Sequence, residues 1–257
     1  MDFQTAHIPP PSTQAKPPEL VQLESLRGGD LEKEIDLGGG KGLRVKALRQ
    51  EAMRSGAQSG LAWRYGLIMR YLDKSEPELN VVFNFAGFVN DGRVLIPCVL
   101  KTPNLFINDE EKGEVREVKE QITIAAEAKL ISVVPTWRDY LWQEYSYPEL
   151  PHHSLRPRTD AEVKAWEDGV KDGWSAGVSQ ADMIYTDRLA ALEKDVACRN
   201  TYKVLVDNGA ISPAALKVVN NQVTFNGRSM NVGEVIYTIS GSANYKQASE
   251  WKPIWTR

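Results

Sequence analysis

Three histidines, a lysine behind a glycine run, two cysteines and a dense group of tryptophans and tyrosines are the side chains of this protein that could do chemistry. His152 and His153 are adjacent in a proline-rich stretch, with His7 far off near the N-terminus. Adjacent imidazoles are too constrained to ligate one metal alone, and no HExxH or CxxC spacing supplies partners. They read as surface-loop histidines. Gly38-Gly39-Gly40-Lys41 invites comparison with a phosphate-cradling loop, yet the spaced glycines and the Ser or Thr that must follow the lysine are missing. The carboxylates that follow Thr159 fall mostly opposite an apolar stripe, so a solvated helix face explains them better than a paired acid/base site. No Cys/His constellation is present. The expectation is a chain with no catalytic residue, no cofactor and no metal.

The aromatic group from Trp137 to Tyr147 is the most distinctive. Pro135 ends an extended run, Thr136 can cap a short helix with Asp139 three residues on, and Trp137, Tyr140 and Leu141 then share one face. Trp137, Trp142, Tyr145 and Tyr147 could stack on sugars or bases, which supports a peptidoglycan-binding module as an alternative. Bases would also need a basic groove, and 31 basic against 34 acidic residues offer none, so direct nucleic-acid binding is not expected. Trp, Tyr and Arg are enriched at the centres of protein interfaces. Core and protein-interface roles both suit the group, and Trp137, Arg138, Tyr140, Trp142 and Tyr145 are the candidate partner contacts.

The elements that must position these residues are partly readable. At 257 residues and 42% hydrophobic content the chain can build a sizeable core. Residues 1–42, with Pro9-Pro10-Pro11, Pro17-Pro18 and Gly38-Gly39-Gly40, are expected to be a flexible tether, and residues 43–257 a single globular domain in which packing starts near Leu43. Leu48, Ala52, Leu61, Met69 and Leu72 predict a helix over Val45 to Leu72, with an interruption possible at Ser55-Gly56 or Ser59-Gly60. Asn90-Asp91-Gly92 predicts a turn, Gln121 to Ile131 alternates as a strand with one buried face, and Lys112-Gly113 predicts a hairpin turn before it. Thr159 and Glu162 form a capping box ahead of a long helix whose stripe runs from Val163 through Trp166, Val170 and Trp174 to Val196. Beside the stripe, Gly169, Gly173 and Gly177 recur every four residues. Such a ridge invites a close neighbour, either within the domain or on a partner subunit. Asn226-Gly227 predicts a type I′ hairpin and Val235 to Ile239 a third strand. Together these give an α+β fold, a small mostly antiparallel sheet packed against long helices. The two cysteines, Cys98 and Cys198, read as small buried apolar side chains, with a disulfide as the alternative.

Five blocks occur in an order that resembles the DotC family of type IVB secretion systems. They are Ser55-Gly56-Ala57-Gln58-Ser59-Gly60-Leu61-Ala62-Trp63-Arg64, Leu95-Ile96-Pro97-Cys98-Val99-Leu100, Pro135 to Trp142, Gly173-Trp174-Ser175-Ala176-Gly177 on to Ala181, and Trp251-Lys252-Pro253-Ile254. The resemblance spans about Ala47 to Ile254 and is nearer to the branch carried by IncI-type conjugative plasmids. Cys98 departs from a family proline. The resemblance implies a structural subunit of an outer-membrane core complex that supports DNA or effector-protein transfer. It implies a homo-oligomeric ring assembled with DotD-like and DotH-like proteins and held at the periplasmic face of the outer membrane by an N-terminal lipid. Met1-Asp2-Phe3-Gln4 shows neither the basic nor the apolar region of a secretory signal, so a leader and an acylated cysteine are expected to belong to the precursor. Cys98 and Cys198 lie too deep in the chain to be that anchor. A hydrolase is the third and weakest reading.

Overall fold

The computed structural model describes residues 16–28, 40–109 and 113–252. Pro9-Pro10-Pro11, Gly38-Gly39, Lys112 and the Pro253-Ile254 ending lie outside these residues. Within them the chain is α+β, with helices α1 (Pro18–Glu24), α2 (Gly40–Lys74), α3 (Glu76–Val82), α4 (Trp137–Leu141) and α5 (Asp160–Asp207). The strands are β1 (Val89–Asn90), β2 (Val94–Leu95), β3 (Cys98–Asp109), β4 (Glu114–Ala126), β5 (Lys129–Leu130), β6 (Ile211–Ser212), β7 (Ala215–Asn226), β8 (Ser229–Gly241) and β9 (Asn244–Tyr245). Two compact units emerge, one of Met1–Val81 with Trp137–Ala191 and the other of Val82–Thr136 with Leu192–Arg257.

The first unit is built on α2 against the N-terminal part of α5. The expected interruption of α2 is absent, and the helix runs unbroken through Ser55, Gly56, Ser59 and Gly60. All four are buried. A Cβ on Gly56 would stand 2.5 Å from the Val170 carbonyl oxygen, and one on Gly60 would stand 2.5 Å from that of Trp174. The ridge on α5 answers in kind: Gly169 faces the Arg49 carbonyl and Ala52, Gly173 the Met53 carbonyl, and Gly177 the Ala57 carbonyl. Glycine in a helix interior costs roughly 1 kcal/mol against alanine. Here that cost is offset by a backbone-to-backbone approach that any side chain would prevent. The neighbour of the ridge is thus α2 of the same unit.

Flanking this contact, Leu23, Leu48, Ala52, Trp166 and Val170 form one buried cluster and Trp63, Leu67 and Trp174 another. Packing begins earlier than Leu43. Helix α1 lies within the expected tether, yet Leu23 is buried and its carbonyl accepts the Trp166 indole N–H at 2.8 Å. Pro18 at the first helical position explains why a proline-rich run can turn helical there.

The start of α5 follows the capping logic with one change. The Glu162 N–H donates to Thr159 Oγ1 at 3.4 Å, while the Glu162 carboxylate accepts from the Arg158 N–H at 2.9 Å rather than from Thr159. Its other oxygen accepts from Arg44 at 2.8 Å. The helix ends at Gly209, whose φ of +73° allows N–H bonds from Gly209 to Val206 O and from Ala210 to Leu205 O, a Schellman closure.

In the second unit every sheet is antiparallel: β1-β2-β5 has three strands, and β3-β4, β6-β9 and β7-β8 are pairs. Asn90-Asp91-Gly92 makes its turn, closed by the Arg93 N–H on Asn90 O, with Asp91 and Gly92 both at positive φ, the signature of type I′. The residues just before it form a 3-10 turn over Phe85–Phe88. Gln121 belongs to a strand beginning at Glu114, on which Ile122 and Ile124 are half-buried. The Asn226-Gly227 hairpin forms with a different turn. Asn226 pairs Ser229, so Gly227 and Arg228 are the central residues and only Gly227 has positive φ, the type II′ pattern. Val235 to Ile239 is no third strand but the return arm of this hairpin.

Candidate interaction surfaces

The aromatic segment folds inward. Trp137 is 1% exposed and its indole N–H donates to Asn80 Oδ1 at 2.8 Å. Arg138 stacks over the Trp137 ring at 4.3 Å and the Trp142 ring at 5.6 Å while pairing with Glu76 at 3.0 Å. The Tyr140 carbonyl accepts from Arg188 at 3.0 Å, and the Leu141 carbonyl accepts the Tyr65 hydroxyl at 2.9 Å. Tyr145 meets the Tyr65 ring edge-on at 5.0 Å. Burial, and after it the neighbouring Tyr145, pushes the Tyr65 phenol up to about 12. The segment is a clasp that ties α4 to α2, α3 and α5 within one unit.

Of the predicted contact residues, Trp137 is therefore core, and Arg138, Tyr140, Trp142 and Tyr145 are half-buried. Gly169, Gly173 and Gly177 are buried against α2, which leaves no room for a partner at the ridge. Tyr147, 46% exposed, lies on a groove of about 480 Å³ lined by Gln58, Leu61 and Glu144 to Glu149. Burial, then nearby Glu19, raises its phenol above the ordinary value.

Arg64 and Glu162, the charged residues of this unit that are buried among the described residues, are each in an ion pair. Arg64, 2% exposed, meets Asp182 at 2.7 Å, joining α2 to α5 one turn beyond the glycine contact. His152 and His153 are exposed, with His152 Nδ1 2.9 Å from Ser154 Oγ.

Cys98 and Cys198 form a disulfide, with Cα atoms 4.8 Å apart. This corrects their reading as free apolar side chains. The bond fixes the first residue of β3 to α5, and Arg199 reinforces it by donating to the Ile96 carbonyl and pairing with Asp195 at 3.0 Å. Asp195 lies with the two sulfurs within 4.8 Å of one another, but sulfurs bonded to each other leave no thiolate for a metal.

The sequence placed hairpin turns at Lys112-Gly113 and Asn226-Gly227 but carried no sign of how exposed the two long ribbons are. Among the described residues, the strands of β3-β4 and of β7-β8 pair only with each other. Val223 (47% exposed) stands opposite Val232 (72%), and Phe225 (76%) opposite Met230 (61%). Phe106 (65%) and Val115 (70%) are diagonal neighbours on β3-β4. Alternation along a strand marks a face but does not say whether another element covers it; among the described residues these side chains stay exposed.

No described helix is long and apolar enough to cross a membrane. The sequence model of a family described as type IV secretory system, conjugal DNA-protein transfer, matches residues 42–253. The chain belongs to that family and is a component of type IV secretion and conjugal transfer. No curated protein matches it significantly.

Proposed function

We propose that the chain is a DotC-like structural subunit of the outer-membrane core complex of a type IVB secretion or conjugation system. On this reading it is a scaffold and not a catalyst, held at the periplasmic face by an N-terminal lipid and assembled in a ring with DotD-like and DotH-like proteins. The observation that carries the reading is the Cys98–Cys198 bond in a conjugal-transfer family member. Disulfides persist in oxidising compartments and are rare in the cytosol, so the bond supports a site of action beyond the inner membrane. The paired and buried state of Arg64, Glu162 and Arg199 supports a structural role for these groups, while the exposed apolar ribbons supply surface for assembly.

Deleting the gene tests the role. Transfer of DNA or effector protein should stop while donor growth is unchanged, and the full-length lipidated product should restore transfer; undiminished transfer would overturn the proposal. The groove at Tyr147 is where the peptidoglycan-binding alternative would act, and retention of the purified chain on sacculi, lost with Tyr147→Ala, would favour it.

A further inference from the structure

We infer that Asn226 is a site of spontaneous covalent modification, where the side-chain amide is lost through a cyclic imide and an aspartate or isoaspartate is left at the tip of the β7-β8 ribbon. The chain has two Asn-Gly pairs, Asn208-Gly209 and Asn226-Gly227, and in both the glycine leaves the attacking backbone nitrogen unhindered by a Cβ. The fold treats them differently. The Gly209 N–H is held by the Val206 carbonyl at 2.9 Å, while the Asn208 N–H donates to Val204 O at 3.0 Å and the Asn208 carbonyl accepts from the Lys252 N–H at 2.9 Å. A Cβ on Gly209 would stand 3.2 Å from the Glu250 carbonyl oxygen. Asn226 and Gly227 are exposed, the Gly227 N–H has no backbone partner among the described residues, and nothing lies within 4 Å of where a Gly227 Cβ would stand.

The reaction needs water and no other reagent. The Gly227 nitrogen attacks Asn226 Cγ; the N–Cγ bond forms as the Cγ–Nδ2 bond breaks, and Nδ2 leaves as ammonia with the proton that the Gly227 nitrogen gives up. Water then opens the imide. Opening at Cγ restores the normal backbone with an aspartate side chain, whereas opening at the backbone carbonyl carbon gives isoaspartate, whose main chain runs through Cβ and Cγ and is one methylene longer. Ring closure requires Asn226 to leave its extended backbone conformation. The tip permits that motion, because among the described residues β7 and β8 pair only with each other and Asn226–Ser229 is the last pair of the ladder. At Asn208 the same motion would first undo the closure of α5. Either product sets a carboxylate beside Arg228, and isoaspartate also perturbs the ladder that aligns Phe225 with Met230. The inference holds whether or not the chain is a scaffold.

Incubation of the purified full-length chain at mildly alkaline pH tests it, with peptide mass spectrometry to locate the asparagines that become acids and chromatography to separate aspartate from isoaspartate peptides. In the native protein conversion at Asn226 should run at least about tenfold faster than at Asn208, and in guanidinium chloride the two rates should converge, since the local opening that separates them is then complete. Asn226→Gln, at an exposed tip, should stop the reaction at this position and leave Asn208 unchanged, because ring closure through the longer side chain is slow. No conversion at Asn226 in the native chain, or a native rate at Asn208 that matches or exceeds it, would overturn the inference. A difference that persisted undiminished in guanidinium chloride would overturn it as well, since the fold would then not be its cause.

Discussion

Cys98, at the start of β3, and Cys198, near the end of α5, are joined across a sequence separation of 100 residues. Closing so long a loop removes much of the freedom of the unfolded chain, and the loop-closure model gives about 4.7 kcal/mol for a span of this size. Reduction should therefore lower the stability of the purified protein by about 2–5 kcal/mol, read as a shift in denaturation midpoint with and without a phosphine reductant. A Cys98→Ala/Cys198→Ala variant should match the reduced protein and ignore the reductant. Equal midpoints for the oxidised and reduced forms would contradict the bond's structural role.

The interlocked glycines predict opposite outcomes for one kind of substitution. Gly173→Ala drives a methyl group into the Met53 carbonyl and should destabilise by about 1–3 kcal/mol despite alanine's better helix propensity. Gly66→Ala, in the same pair of helices but with only the Arg70 guanidinium near its added methyl at 3.9 Å, should stabilise by about 0.5–1 kcal/mol. Thermal melts of both variants check the pair, and a stabilised Gly173→Ala would refute the close approach.

Arg64 and Asp182 predict a non-additive cycle. Asp182→Ala strips a buried guanidinium of its carboxylate and should cost about 3 kcal/mol. Adding Arg64→Met should recover part of that loss, since the charge that has lost this carboxylate is then gone. Additive losses in urea unfolding would show that the two groups act independently.

The entry to α5 separates a cap from a buried ion pair. Thr159→Ala removes one weak side-chain bond and should cost about 1 kcal/mol. Glu162→Ala strands the Arg158 N–H and takes from Arg44 its carboxylate, leaving it the Ser154 and Arg156 carbonyls, and should cost clearly more. Matching losses in chemical denaturation would place the weight on the cap instead.

Tyr65 predicts an alkaline limit. Its phenol titrates near 10 when unfolded and at about 12 when folded, so between those values the folded state holds the proton that the unfolded state has lost. Stability is full below pH 10 and declines as pH rises toward 12. Tyr202, raised by burial, and Tyr147 add to the same slope. Tyr65→Phe should flatten the decline while costing about 1 kcal/mol at neutral pH for the lost bond to Leu141. An unchanged slope would argue against burial of the phenol.

How far the fold was legible follows from what periodicity can encode. The stripe on α5 and its cap were readable because each is local to one helix. Gly56 and Gly60 carry the same four-residue spacing as Gly169, Gly173 and Gly177, yet spacing does not say which helices meet, so the ridge kept two possible neighbours until α2 was seen against it. The turn type at Asn226-Gly227 was misread because it depends on strand register, which placed glycine first and arginine second. Cysteines 100 residues apart carry no information about the distance between their Cα atoms. Trp137 was taken as a contact residue because an aromatic-rich helix looks alike in sequence whether it faces a core or a partner. At Asn80, Glu76 and Arg188 the structure supplies the internal partners that decide it.

The most direct test of the scaffold account is co-purification of the tagged, full-length chain from detergent-solubilised outer membranes of transfer-competent cells. The account predicts recovery in a large assembly together with DotD-like and DotH-like proteins. Recovery as a monodisperse free protein without them, from cells whose transfer survives the deletion, would contradict it.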